Sequence, residues 1–312
     1  MKMFKCMTVA LLALLPLAAG TVFADTGHGY SRMFVFGASF LDPGNHFAVT
    51  GETAHPPFDP TLLASYGIGG HHFSNGRTWV EVMAQDMDLT EWAKPAYRDP
   101  AYGNYAYGYV RARPVDYPSG PGLGDQVQAW IDNGYCTFAP MNDTLFVLDS
   151  SFADFLDIFE GADPTVVIGG MVDSIASNIG ILYGCGARNL MVANAPPVGA
   201  APGVPAPNKA AATGLSFMYN LYVQDVLDVY SGEPFNMNIT TVDIFAFFTE
   251  VLTNQETYGF ANVAEPCIAF GVRKNAFCKD RDGYLFWDLL HPTKKAYAMM
   301  GEFALEYLPA LD

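Results

Sequence analysis

Short apolar runs alternate with longer stretches that carry an apolar stripe at helical spacing. No other feature constrains the fold as strongly. Residues 33–36 (MFVF), 144–148 (TLFVL), 189–193 (NLMVA) and the weaker 239–242 (ITTV) read as strands, with 105–110 as a candidate fifth. Each is short and bounded by turn formers, the pattern of a strand buried on both faces. Between them, 79–87, 124–131, 165–183, 215–229 and 295–308 repeat apolar residues three and four apart, the spacing of an amphipathic helix. Strands and helices in alternation predict an α/β fold: a mostly parallel sheet, helices on both faces and right-handed crossovers. In such a sheet the ligand crevice lies at the carboxyl ends of the strands.

The chain opens on a different pattern. Lys2 and Lys5 precede an apolar run over 7–19, and Val22 and Ala24 supply small residues before a cleavage point after Ala24. This is the three-part form of a secretory signal peptide over 1–24, too short for a membrane span. No later stretch reads as long and apolar enough to cross a bilayer, so no stable membrane span is expected. One domain over 25–312 and export to a secreted or periplasmic location follow as expectations.

Sixteen Lys and Arg stand against 32 Asp and Glu, a net charge of −16. Loss of Lys2 and Lys5 with the leader takes it to −18. Such a surface repels nucleic acid and anionic membranes. Cys6 leaves with the leader; Cys136, Cys185, Cys267 and Cys278 remain. An even count in an exported chain permits disulfides. Cys267 and Cys278, close together in a polar loop, are the expected pair, and a Cys136–Cys185 bridge is left open.

Two segments carry candidate chemistry. Ser39 comes directly after the first strand, behind Gly37, which reads as a tight-turn residue. Asp288 and His291 lie three apart in a loop that leads into the last helix. A serine needs a base to take its proton, and the base needs an acid to orient it. His71-His72 suggests a metal, but no third ligand has suitable spacing, and the pair reads as a solvated loop. Asp42 and Asn45 read as shaping the loop after Ser39. The Pro- and Gly-rich stretch 195–207 reads as a loop over the crevice.

Five blocks occur in order: 34–45 (FVFGASFLDPGN), 73–79 (FSNGRTW), 104–109 (NYAYGY), 194–199 (NAPPVG) and 286–293 (FWDLLHPT). Together they resemble the SGNH/GDSL family of serine esterases and lipases, over nearly the whole chain after the leader. The resemblance implies a three-layer α/β/α flavodoxin-like fold with about five parallel strands. It implies Ser39 as nucleophile, His291 as base, Asp288 as orienting acid, and neither metal nor organic cofactor. The substrate would be a small-molecule, lipid or glycan acyl ester.

Three positions depart from the family. Ala38 replaces the Asp before the nucleophile. Tyr109 stands where a glycine N–H serves the oxyanion hole, and Ala153 where an Asn side chain does. The expected donors are therefore the backbone N–H of Ser39 with that of Tyr109 or, after a shift of one position, Gly108. Ser150 or Ser151 could substitute for the missing Asn. Two readings follow: a secreted ester hydrolase with a weakened oxyanion hole, or a catalytically silent relative that binds an acyl or glycan ligand.

Overall fold

The computed structural model describes residues 28–56, 64–115, 120–150, 153–268 and 277–311. The expected leader and the Ser151 alternative lie outside these residues. The chain runs β1 (Arg32–Phe36), α1 (Asn45–Thr50), β2 (Thr53–Ala54), β3 (Ser65–Tyr66), α2 (Trp79–Asp86) and α3 (Leu123–Asp132). It continues through β4 (Met141–Asp149), α4 (Phe155–Phe159), α5 (Pro164–Gly184), β5 (Ala187–Ala193), α6 (Lys209–Ser231) and β6 (Asn238–Val242). It ends with α7 (Ile244–Thr253), β7 (Asn262–Pro266), β8 (Tyr284–Phe286) and α8 (Lys294–Tyr307).

The central sheet is parallel, in the order β1-β4-β5-β6. Side chains alternate along each strand, so successive residues feed opposite layers. Phe34 and Phe36 of β1 join Trp130, Phe146, Ile175 and Tyr219 in one cluster, under α3, α5 and α6. Met33 and Val35 join Trp79, Val147, Phe248 and Met300 in the other, under α2, α7 and α8. Two apolar faces on one sheet produce the three layers.

Among the described residues four strands form this sheet, where the resemblance implies about five. The candidate over 105–110 lies beside β1 as an extended segment. Val35 N–H donates to Gly103 O (3.0 Å), and Tyr105 and Tyr107 N–H donate to Val35 O (2.8 Å) and Gly37 O (3.1 Å). The outer carbonyls of Asn104 and Ala106 accept instead from the Asn45 amide, at 2.7 and 2.8 Å. Tyr109 then adopts φ 65° and turns the chain away. With this segment counted, the spatial order is that of a flavodoxin-like sheet.

Helix starts are written locally. Thr78 and Glu81 form a capping box on α2, with Thr78 N–H donating to Glu81 Oε2 at 2.8 Å. Asp163 caps α5 ahead of Pro164. The expectation that no later stretch is apolar enough to cross a bilayer needs correcting. The 21-residue α5 has mean hydropathy 1.5 over its most apolar window. Its apolar stripe packs into the core, with Met171, Ile175 and Ile179 fully buried. The core-facing stripe accounts for the apolar residues on that side.

Both cysteine pairs are bridged, with Cα–Cα separations of 4.7 Å for Cys136–Cys185 and 4.8 Å for Cys267–Cys278. The first ties the loop before β4 to the end of α5. The second lies beside the segment that carries Asp288. Disulfides of this kind fit an oxidising compartment.

Candidate active site

Ser39 stands at the carboxyl end of β1, where the crevice is expected. Gly37 is required by close approach, not by a tight turn. A Cβ on it would sit 2.8 Å from Asp149 Cβ on the adjacent strand. The Gln126 side chain clasps this glycine, accepting from its N–H and donating to its carbonyl, both at 2.9 Å. The strand end is thereby locked two residues before the serine.

Asp42, fully buried, fixes the chain just after it. Its carboxylate accepts from the N–H groups of Gly44 (2.7 Å), Asn45 (2.6 Å), His46 (3.1 Å) and Gly108 (2.8 Å). Asn45 adds two bonds to the backbone of 104–106 and accepts from Tyr97 N–H at 3.2 Å. Asp42 and Asn45 therefore act as the loop-shaping residues expected of them. They join the first block to the 104–109 block.

The block at 73–76 braces the histidine segment. Ser74 Oγ donates to Pro292 O at 2.7 Å, and Asn75 Oδ1 accepts from Lys294 N–H at 2.8 Å. Gly76 has no room for a Cβ, which would meet Lys294 Cβ at 2.7 Å. Thr293 caps α8 and Trp287 N–H donates to His291 O at 2.7 Å, closing the loop between β8 and α8. The imidazole rests between the rings of Phe73 (5.3 Å) and Phe40 (5.8 Å).

These braces bring three distant residues together. His291 Nε2 lies 2.8 Å from Ser39 Oγ, and His291 Nδ1 lies 2.8 Å from Asp288 Oδ2. Asp288 Oδ1 accepts from the N–H groups of Leu290 (2.8 Å) and His291 (2.6 Å). With Nδ1–H directed to the carboxylate, Nε2 is left to accept the serine proton. Asp288 and His291 are essentially inaccessible, while Ser39 retains 8% exposure at the crevice.

A fourth residue has no motif signal. Tyr66, in β3, donates its phenol O–H to Asp288 Oδ2 at 2.9 Å. Burial, followed by the Asp288 charge and its hydrogen bond, pushes the Tyr66 pKa far up. The phenol therefore remains a neutral donor.

The expected oxyanion donors divide. Gly108 is excluded, because its N–H is committed to Asp42. Its glycine identity has another cause: a Cβ would lie 2.0 Å from Phe73 Cε2. Tyr109 occupies the left-handed region at φ 65°, the conformation that a glycine adopts freely and an L-residue at a cost of about 1–2 kcal/mol. Its ring lies 5.7 Å from the Arg111 guanidinium carbon, and that guanidinium is ion-paired to Asp157 at 2.6 Å. Ser150 does not replace the missing Asn, since its hydroxyl donates to Ala193 O at 2.9 Å. Ala153 N–H donates to Val110 O at 3.4 Å, and the residue lines the crevice. Ala38 is buried within an apolar core cluster.

His71 and His72 do not form a solvated pair. His72 is buried, with Nδ1 2.6 Å from Gly69 O and Nε2 2.8 Å from Glu81 Oε2. His71 stacks on Phe47 and shares a 3.2 Å hydrogen bond with Thr53. Among the described residues, no three His, Cys, Asp or Glu side chains gather as metal ligands.

Beside Ser39 opens a cavity of ≈260 Å³ between α4 and the 196–204 loop. Phe155, Leu156, Val198, Val204 and Leu290 form much of its wall. The 195–207 stretch thus covers the crevice as its composition suggested, and the α4 contribution carries no motif.

Residues 33–304 match the family described as GDSL-like Lipase/Acylhydrolase. GDSL esterase/lipase 6 of Arabidopsis thaliana is 24% identical, covering 94% of this chain and 91% of that protein. GDSL esterase/lipase At2g23540 of the same plant is 23% identical over 88% and 84%. The anther-specific proline-rich protein APG of Brassica napus is 35% identical over 140 residues, 41% of this chain and 31% of that protein. A solved α/β hydrolase from the metagenome of Lake Arreo, Spain, aligns with TM-score 0.47 and 12% identity, covering 90% of this chain and 99% of that one.

Proposed function

Because the chain belongs to the GDSL-like lipase/acylhydrolase family, an ester-hydrolysing family, we propose that it cleaves acyl esters through an acyl-serine on Ser39. The observation that carries this reading is the continuous hydrogen-bonded path from Ser39 Oγ through His291 to Asp288. Ser39 Oγ attacks the ester carbonyl carbon while His291 Nε2 takes its proton. The tetrahedral oxyanion collapses, and the departing alkoxide receives that proton from Nε2. Water then attacks the acyl-serine, again losing a proton to Nε2, and the carboxylic acid leaves as Ser39 is reprotonated. Asp288 stabilises the imidazolium at both stages.

The oxyanion is stabilised by the N–H of Ser39 and by the turn at Tyr109, with no side-chain donor at Ala153. One missing donor slows such chemistry by about 10²–10³. The same alanine favours a second reading, a silent acyl-binding relative. A fluorophosphonate probe separates them, since it needs an activated serine but little turnover. Labelling of wild type, absent in Ser39→Ala, supports the hydrolase; a folded wild type that neither labels nor hydrolyses a short-chain nitrophenyl ester rejects it.

The leader pattern and the paired cysteines support export of the enzyme. N-terminal sequencing of the protein recovered outside the cytoplasm tests this. A chain that begins at Asp25 is expected, and retention of Met1 in the cytoplasm contradicts it.

A further inference from the structure

The cavity beside Ser39 has an unusually uniform lining. Ser39 contributes the one polar side chain; every other described lining residue is apolar or glycine. Among the described lining residues there is no carboxylate, amide, imidazole or guanidinium to recognise a sugar hydroxyl or a charged acyl group. The cavity measures ≈260 Å³, just below the range of about 300–1,000 Å³ that holds drug-sized ligands, and far more than an acetyl methyl needs.

The neighbours of the cavity decide which half of an ester it holds. Ser39 and Ala153 line it, and the sequence blocks align Ala153 with the family's oxyanion asparagine. His291, whose Nε2 protonates the leaving alcohol, is absent from the described lining. The cavity therefore opens from the carbonyl carbon on the acyl side, away from the departing oxygen. Ala153 has a second consequence here. An asparagine at this place would set an amide into the apolar wall next to the carbonyl, where burial without a full set of partners is costly. With alanine the wall stays apolar up to Ser39.

The wall is also braced. Arg111 Nη2 lies 2.6 Å from Asp157 Oδ1, and Arg113 Nε lies 2.6 Å from Asp154 Oδ1. These pairs tie α4, which supplies Phe155, Leu156 and Phe159, to the chain following Tyr109. The cavity is thus bounded by a fixed element.

We infer that this cavity is an acyl-chain site selecting uncharged alkanoyl groups of several carbons over acetyl, and that Ala153 admits the chain at the expense of the side-chain oxyanion donor. The inference rests on the hydrolase reading for its acyl side.

The test uses the mature protein and two independent readouts. Nitrophenyl esters from acetate to decanoate give kcat/KM against chain length. Calorimetric titration of Ser39→Ala with straight-chain alkanoates of the same lengths gives affinity without turnover. Each added methylene is expected to improve both by about fourfold until the cavity is full. Leu156→Trp, which fills the wall, is expected to move both optima to shorter chains. Phe159→Trp, at a position 41% exposed, provides the same readout if Leu156→Trp melts early. Acetate esters of lengthening alcohols are expected to give a flat series.

A flat acyl series in both readouts overturns the inference and leaves the hydrolase reading intact if acetate is turned over. A rise with alcohol length and none with acyl length overturns it as well. Affinity that climbs with chain length and shortens in Leu156→Trp, with no hydrolysis of any ester, upholds the alkyl site while the hydrolase reading fails.

Discussion

Tyr66 donates its phenol to the same Asp288 oxygen that faces His291, across 222 residues of sequence. The carboxylate oxygen thus accepts from two side chains, and its position toward the imidazole depends on both. A hydrogen bond to a charged group contributes about 1.5–3 kcal/mol. Tyr66→Phe is expected to lower kcat by about ten- to a hundredfold with KM little changed, because the defect lies in orienting the base. Steady-state kinetics with a parallel thermal melt tests this. Unchanged kcat in a folded variant removes Tyr66 from the machinery.

The oxyanion positions predict an unusual gain of function. Ala153→Asn restores a side-chain donor beside Ser39 and is expected to raise hydrolysis of an acetate ester by up to about 10²-fold. Tyr109→Gly alone is expected to give no gain, since the ring packs toward Arg111 and does not line the cavity. Ser39→Ala should remove all hydrolysis. If wild type is already fast and Ala153→Asn changes nothing, other groups complete the hole.

The Cys267–Cys278 bridge braces the Asp288–His291 segment indirectly. Cys267 N–H donates to Phe286 O, and Ile268 N–H to Trp287 O, both at 3.0 Å, immediately before Asp288. Cys267, Ile268, Tyr66 and Trp287 form one small apolar cluster. Closing a loop of this size contributes on the order of 3 kcal/mol. The double variant Cys267→Ser/Cys278→Ser is expected to melt about 5 °C lower and to lose activity before it unfolds. Equal melting temperatures by calorimetry would contradict this.

His72 gives the stability a pH dependence of definite sign. Burial opposes its charging. The hydrogen bond and charge of Glu81, the Gly69 carbonyl and the Asp42 charge outweigh burial and raise its pKa above the ordinary value. A raised folded value favours the protonated form in the native state. The added stability is fully present below the unfolded pKa of about 6.5 and is lost as pH rises through the folded value. His72→Gln is expected to narrow its melting-temperature deficit as pH rises from 6 to 9. A deficit that stays constant or widens across that range rules out this origin.

Much of this protein was legible without coordinates, because the signals are local. The strands at 33–36, 144–148 and 189–193 announce themselves through continuous apolar runs, and α2 and α8 through apolar residues repeating three and four apart. Ser39, Asp288 and His291 stand in short blocks whose order was readable, and Cys267 and Cys278 lie near one another in the chain. Other features depend on groups that meet only after folding. Gly37 and Gly108 are glycines because Asp149 and Phe73 approach them from far along the sequence. The segment after Gly103 has the pattern of a strand, and only folding sets the Asn45 amide on its outer carbonyls. By sequence Gly108 fits a donor position and His72 a solvated loop, whereas folding sets the Gly108 N–H on Asp42 and Glu81 over His72. Tyr66 and the α4 wall carry no periodicity or motif, for their roles are set by distance to Asp288 and Ser39. Periodicity and caps record what a residue does with its immediate neighbours, while close approach, hydrogen-bond partnership and cavity shape are properties of the packed chain.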